Sequence, residues 1–285
     1  MRTTSPALTP RAAIVTLYGA FVRRLGNWVA IADLVVLLAD LGVDEQSARS
    51  AIARLKRTGL LESSTHFGCA GYAAGEQLLD VLRDGDLRIF HSEIAADLDD
   101  GWVLIVFSVP ETQRDRRHLL RTRLAGLGCG PLAPGVWMAP RRVALDVRRI
   151  LDRLDLAQFT SMFEGSYQGF TDVQTLAAST WDVSLLVRHY GAFTRRHQRV
   201  LTRWEAHDLG ARAAFVDYVK LLEDWRRLAY EDPGLPDELS ACAPHRRSAY
   251  EVFTKGVGLL ADPAMRHVEN TIGPRLLNRD MGSAH

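Results

Sequence analysis

Gln46, Ser47, Arg49, Ser50, Arg54 and Arg57 lie within one short stretch of the chain. Their chemistry is that of nucleic-acid reading: Arg can grip guanine with two hydrogen bonds, Gln can pair with adenine in the same way, and Ser can donate to a phosphate. The residues between them, Ala48, Ala51, Ile52 and Leu55, recur at three- and four-residue spacings. A helix there buries the apolar set and turns the polar set outward. A solvated helix face has the same pattern, so spacing alone leaves a purely structural helical pair open.

The flanking sequence supplies the elements that would hold such a helix against DNA. Pro10 opens a helix over Arg11 to Leu25, in which Ile14, Leu17, Tyr18, Phe21, Val22 and Leu25 form a stripe. Gly26-Asn27 breaks it, Trp28 and Val29 can form a short strand, and Ile31 to Leu41 reads as a second helix, apolar enough to be buried all round. Gly42 ends that helix, Asp44 can cap the third, and Gly59 closes it. Ser63 to Tyr72 then reads as a hairpin in which His66 is the one basic-capable side chain. Short strand, two helices at a tight turn and hairpin is the order of a winged helix-turn-helix. Residues 1–60 hold eight Lys or Arg against four Asp or Glu, a local net charge of +4 in a chain of net +1, the sign that phosphate requires. Gln46, Ser47, Arg49, Ser50, Arg54, Arg57 and His66 are the expected contacts to double-stranded DNA.

The chain continues through two further regions. A helix over Gly75 to Phe90, with Leu78, Leu79, Leu82 and Leu87 on its apolar side, leads out of the hairpin, and the acidic run Glu93 to Asp100 reads as a linker. Trp102 to Val109 is a strand buried on both faces and stopped by Pro110. A helix over 112–127, a strand at Val136 to Met138, a helix over 144–154 and a strand over 159–167 follow, an alternation that suits a ferredoxin-like α+β domain. From about Thr180 the pattern is helical, with apolar stripes in 182–203, 211–230 and 247–261. The expected architecture is a multidomain α+β chain: a winged helix-turn-helix over 1–90, a ferredoxin-like domain over 91–178 and an all-α domain over 179–285.

Several function classes find no support. No apolar run reaches the length of a membrane span and no secretory pattern opens the chain, so a cytoplasmic location is expected. Cys69, Cys129 and Cys242 are odd in number and far apart, the usage of free thiols. GxGxxG after a strand, GxxxxGK[ST], GxSxG and HExxH are all missing. His189, His197, His207, His245 and His267 lack ligand spacing and read as surface or capping residues. Neither an enzyme nor a bound cofactor is expected. A metabolite site is another matter. Arg188, Arg195, Arg196, Arg199 and Arg203 share one helix, and Trp225-Arg226-Arg227 leads to Tyr230. Arginines beside aromatic rings suit an acyl-coenzyme A, guanidinium on phosphate and ring on adenine or aryl group. The same residues also fit a solvated face and, for Trp225, a core position.

The whole chain resembles the PaaX-type repressors, bacterial regulators of phenylacetic acid catabolism and related pathways. Arg49, Ala51, Arg54-Leu55 and Gly59-Leu60-Leu61 are similar to the family's recognition helix and its exit. Trp102 to Glu111, Arg114, Arg117, Gly135-Val136-Trp137 and Pro140-Arg141 resemble its middle domain. Asp224-Trp225-Arg226-Arg227, Asp232-Pro233 and Leu235 to Leu239 resemble its C-terminal signature. The resemblance implies a homodimeric repressor of an aromatic-catabolism operon, released from its operator by phenylacetyl-coenzyme A or a similar acyl-coenzyme A or aromatic acid. Of the candidates, Arg188, Arg195, Arg199, Trp225, Arg226, Arg227 and Tyr230 would hold that effector. Two departures stand out: the hairpin lacks the family's arginines, and Ser240 to His245 replaces a Trp-containing turn. Weak phosphate contact from the wing is expected. The middle domain also resembles the CRISPR-associated nuclease Cas2, many members of which bind metal through an Asp at the end of the first strand. Here that end is Ser108-Val109-Pro110 followed by the single carboxylate Glu111, a poor hard-metal site. A Cas2-like nucleic-acid enzyme and a ligand-free DNA-binding scaffold are the competing readings.

Overall fold

A computed structural model describes residues 8–66, 68–90 and 96–276. The described chain forms two compact units, one from Met1–Leu87, Thr194–Trp225 and Glu251–His285, the other from Arg88–Phe193 and Arg226–Tyr250.

In the first unit, α1 (Pro10–Ala20) is capped by Thr9, whose hydroxyl accepts from the Ala12 amide at 3.2 Å. The predicted single helix to Leu25 ends early, and a 3₁₀ turn at Val22–Leu25 completes it before Gly26 and Asn27 enter the left-handed region. Then come β1 (Trp28–Ala30), α2 (Ile31–Asp40), α3 (Glu45–Arg57), β2 (Leu61–His66), β3 (Cys69–Ala74) and α4 (Glu76–Phe90). The strands form an antiparallel sheet of order β1-β3-β2 in which His66 pairs with Cys69. Phe67, residues 93–95 of the acidic linker and the Leu87 side chain lie outside the described residues. Gly71 is required where it stands: a Cβ there would run into the Trp28 indole and the Val29 carbonyl.

The reading of α2 as buried all round needs correction. Leu34, Leu37 and Leu38 are fully buried, but Val36 is 50% exposed and Asp33 is among the buried residues. α2 is amphipathic with an apolar outer face, since composition counts apolar residues without saying which of them the neighbouring helices cover.

The second unit contains β4 (Trp102–Phe107), α5 (Arg114–Gly126), β5 (Gly130–Ala133), β6 (Val136–Pro140), α6 (Ala144–Arg153), β7 (Thr160–Gly165) and α7 (Val173–Thr180). Its antiparallel sheet has order β5-β6-β4-β7, so the βαββαβ connectivity is the ferredoxin-like one. One face packs on α5 and α6 through Val103, Ile105, Leu120, Leu124 and Val147, the other on Trp181, Ala177, Leu235 and Leu239. β5 and α7 were not expected. β5 reads Gly-Pro-Leu-Ala, weak strand formers that an edge position tolerates.

The long helices α8 (Val183–Ala206), α9 (Ala211–Glu231) and α10 (Ala243–Leu276) each contribute residues to both units. α10 runs fifteen residues past the predicted end. Pro263 lies inside the helix, where it costs one backbone bond, but the stripe Leu260, Ala264, Val268 and Ile272 is buried, and burying each large side chain, worth about 1.5–3 kcal/mol, offsets that loss.

Candidate nucleic-acid interface

The Asp44 side chain accepts from the Ser47 amide at 2.8 Å and fixes the start of α3. Hydrogen bonds from Ser47 hold the Asp44 carboxyl below its ordinary value. At the other end Gly59 takes φ 71°, and its amide returns to the Lys56 carbonyl. The helix is pinned from behind by Ala48, Ala51, Ile52 and Leu55, all buried.

Opposite that buried stripe, the 3.6-residue period places Gln46, Ser50, Ala53 and Arg57 along the outermost line, and all four are exposed. These side chains point directly away from the packed face. Arg54, also exposed, lies on the flank toward α1, and Ser47 on the same flank is half-buried. Arg49 lies on the opposite flank and is engaged: its guanidinium bonds the Glu45 carboxylate through Nε at 2.8 Å and Nη2 at 2.7 Å. Such an exposed pair one turn apart is worth only about 0.3–0.5 kcal/mol, so it leaves Arg49 readily available to another anion. Sequence reasoning missed this partner although the i, i+4 spacing signalled it. His66 is exposed on β2, its ring stacked on Trp28 with centroids 4.9 Å apart. The aromatic stack fixes its direction.

The C-terminal helices buttress the same unit. Asp40, at the end of α2, accepts from Arg212 Nε at 2.6 Å and faces His267 Nε2 at 2.7 Å. Thr16 on α1 hydrogen-bonds Glu223, and Phe21 packs on Phe215 and Tyr218.

The candidate effector residues are divided between the units. Arg195, Arg199 and Trp225 belong to the first, and Arg188, Arg226, Arg227 and Tyr230 to the second. Arg188, Arg195 and Arg199 are exposed; Arg226, Arg227 and Tyr230 are half-buried. Arg227 faces Glu231 at 3.8 Å, and the Arg88 guanidinium covers the Tyr230 ring at 4.8 Å. Trp225 is 1% exposed and stacked on Phe253 at 4.7 Å, so its indole serves the core. His197 is likewise no surface residue: it is 3% exposed, with Nε2 on the Asp224 carboxylate at 3.0 Å. Its place on the inner face of α8 is set by a carboxylate on α9 that α8's own sequence cannot reveal.

The second unit holds a buried polar cluster that sequence reading did not single out. Arg246, 2% exposed, reaches Asp232 at 3.4 Å and Asp237 at 2.5 Å. The Tyr190 hydroxyl donates to Asp232 at 2.6 Å, and burial with the Asp232 charge drives the Tyr190 phenol pKa up. The cluster locks the Asp232 to Asp237 turn. Glu111, beyond the end of β4, is tied to Arg117 at 2.9 Å. Among the described residues no three His, Cys, Asp or Glu gather as a metal site, and no helix is long and apolar enough to cross a membrane.

Three family models match the chain in succession: PaaX-like protein over residues 9–78, PaaX protein central Cas2-like domain over 95–177, and PaaX-like protein C-terminal domain over 181–270. The chain is 26% identical over 233 residues to the transcriptional repressor PaaX of Escherichia coli (strain K12), covering 79% of this chain and 72% of that protein. Its fold is similar to that of the uncharacterized protein Rv0674 from Mycobacterium tuberculosis, with a TM-score of 0.54 and 23% identity, covering 93% of this chain and 99% of the other. Capped recognition helix, ferredoxin-like centre and C-terminal helices, each matched in order by the corresponding model, establish that the chain belongs to the PaaX family.

Proposed function

We propose that this protein is a cytoplasmic, homodimeric repressor of an aromatic-compound catabolic operon, released from its operator by an aryl-acyl-coenzyme A or a related aromatic metabolite. The coarser statement, a transcriptional regulator and not an enzyme, rests on the family and on the repressor relative. The observation that carries the DNA reading is α3: capped at both ends, buried on one face, with Gln46, Ser50 and Arg57 aligned on the exposed one. Such a helix enters the major groove, and its N-terminal half reads base edges. Within the second unit, Arg188, Arg226, Arg227 and Tyr230 carry the cations and ring that a phosphate-bearing aryl thioester needs.

Release follows from linkage. An effector that favours a dimer whose recognition helices mismatch the half-sites weakens DNA binding by the same factor as DNA weakens effector binding. The test is an electrophoretic titration of the protein against the DNA upstream of its own coding sequence, with and without a panel of aryl-acyl-coenzyme A thioesters. Specific binding relieved by one thioester is expected. Specific binding that no thioester moves would remove the effector class and leave the regulator standing.

A further inference from the structure

The unpaired cations beside α3 are not all on the row that faces bases. A groove of about 370 Å³ runs between the start of α1, at Thr9, Pro10 and Arg11, and the flank of α3 at Arg54, Leu55 and Thr58. Arg11 and Arg54 line it from opposite sides, and both are exposed. Among the described residues neither is in an ion pair, whereas Arg23, Arg49, Arg196, Arg203 and Arg212 of the same unit each hold a carboxylate. An arginine with no carboxylate beside it keeps its full charge for an outside anion.

An α-helix with its side chains is about 10–12 Å across and the major groove about 12 Å wide, so a helix seated there has a phosphate backbone along each flank. On one flank stands Arg49, with Glu45 taking part of its charge. On the other stand Arg54 and, from α1, Arg11. The wing cannot share that load, because Glu62 and His66 are the ionisable side chains of β2 and no arginine occurs in the hairpin.

We propose that Arg11 and Arg54 form a phosphate clamp, a sequence-independent grip on one DNA backbone that replaces the wing's missing arginines. The inference rests on the DNA-binding reading and adds Arg11, which lies outside the helix-turn-helix. Its ligand is the DNA phosphodiester, held by the two guanidinium groups across the groove that Thr9 and Thr58 also line.

The test measures binding of the full chain to upstream DNA and to an unrelated duplex of equal length across a salt series. Arg11→Ala should weaken both alike, leave their ratio unchanged, and reduce the slope of log K against log salt by about 0.9 for the one phosphate lost. Arg54→Ala should do the same, and Arg11→Lys should restore the slope. A wild-type slope in Arg11→Ala, with specific binding intact, overturns the clamp while sparing the regulator. Loss confined to the upstream DNA in Arg54→Ala assigns that residue to base reading and also overturns the clamp. Absence of DNA binding by the unaltered protein overturns both readings.

Discussion

Arg49 and Glu45 pose a question one substitution can answer, because the carboxylate one turn upstream holds the guanidinium and would compete with DNA for it. Glu45→Ala should strengthen binding to all DNA by about 0.5 kcal/mol, the worth of the released pair, visible as a modestly lower Kd; weaker binding would show that Glu45 contacts the DNA itself. Arg49→Ala should relax base preference and cost about 1–3 kcal/mol if Arg49 reads a base, and weaken all sequences alike if it holds a phosphate. A buried pair behaves differently. Arg246→Met takes from the buried Asp232 its bridging guanidinium and leaves only the Arg142 charge nearby, a loss of up to about 3–5 kcal/mol in a denaturant melt; a melt within about 1 kcal/mol of the parent would show that Arg142, Tyr190 and the Gly234 amide already satisfy that carboxylate. The thiols follow burial: burial pushes Cys129 up to about 12 and raises Cys242, while Cys69 is half-exposed. A thiol reagent at neutral pH should label Cys69 first and reach the others only on unfolding.

At the scale of elements, α3 was legible because every signal in it is local: an Asp cap, a four-residue apolar repeat and a closing glycine. Its cap carries a pH signature. The folded Asp44 carboxyl lies below its ordinary value, so its contribution to stability is present above the unfolded value of about 3.9 and is lost as pH falls through the folded one. Asp44→Asn, which keeps a neutral acceptor, should therefore melt below the parent at neutral pH and match it in strong acid; a gap independent of pH would assign the difference elsewhere. The features that escaped the sequence are set by distant partners. Arg11 gains meaning only beside Arg54, His197 only beside Asp224, and α10 outlasts Pro263 only because its stripe is covered. Trp225 shows the converse: aromatic beside arginine reads as a ligand site until the stack on Phe253 accounts for the ring.

At the scale of the whole molecule, α1 and α2 of the DNA-binding region are hydrogen-bonded to α9 and α10 within one compact unit, through Thr16, Asp40, Arg212 and His267. The reading head is thus not a detachable module, and a fragment ending after α4 would expose the buried Phe21 ring to water. A homodimer would set its two α3 helices one helical turn of DNA apart, about 34–36 Å, or a multiple of it, so its operator should be two-fold symmetric. Whether α3 recognises a defined sequence is read from the ratio of affinities for upstream DNA and for a shuffled duplex, at one fixed salt concentration, in the parent and in a variant carrying Gln46→Ala and Ser50→Ala. A recognition helix gives a ratio of at least about 10³ in the parent, collapsing in the variant while affinity for the shuffled duplex stays level. A parent ratio near one, or a variant that keeps the full ratio, would contradict it.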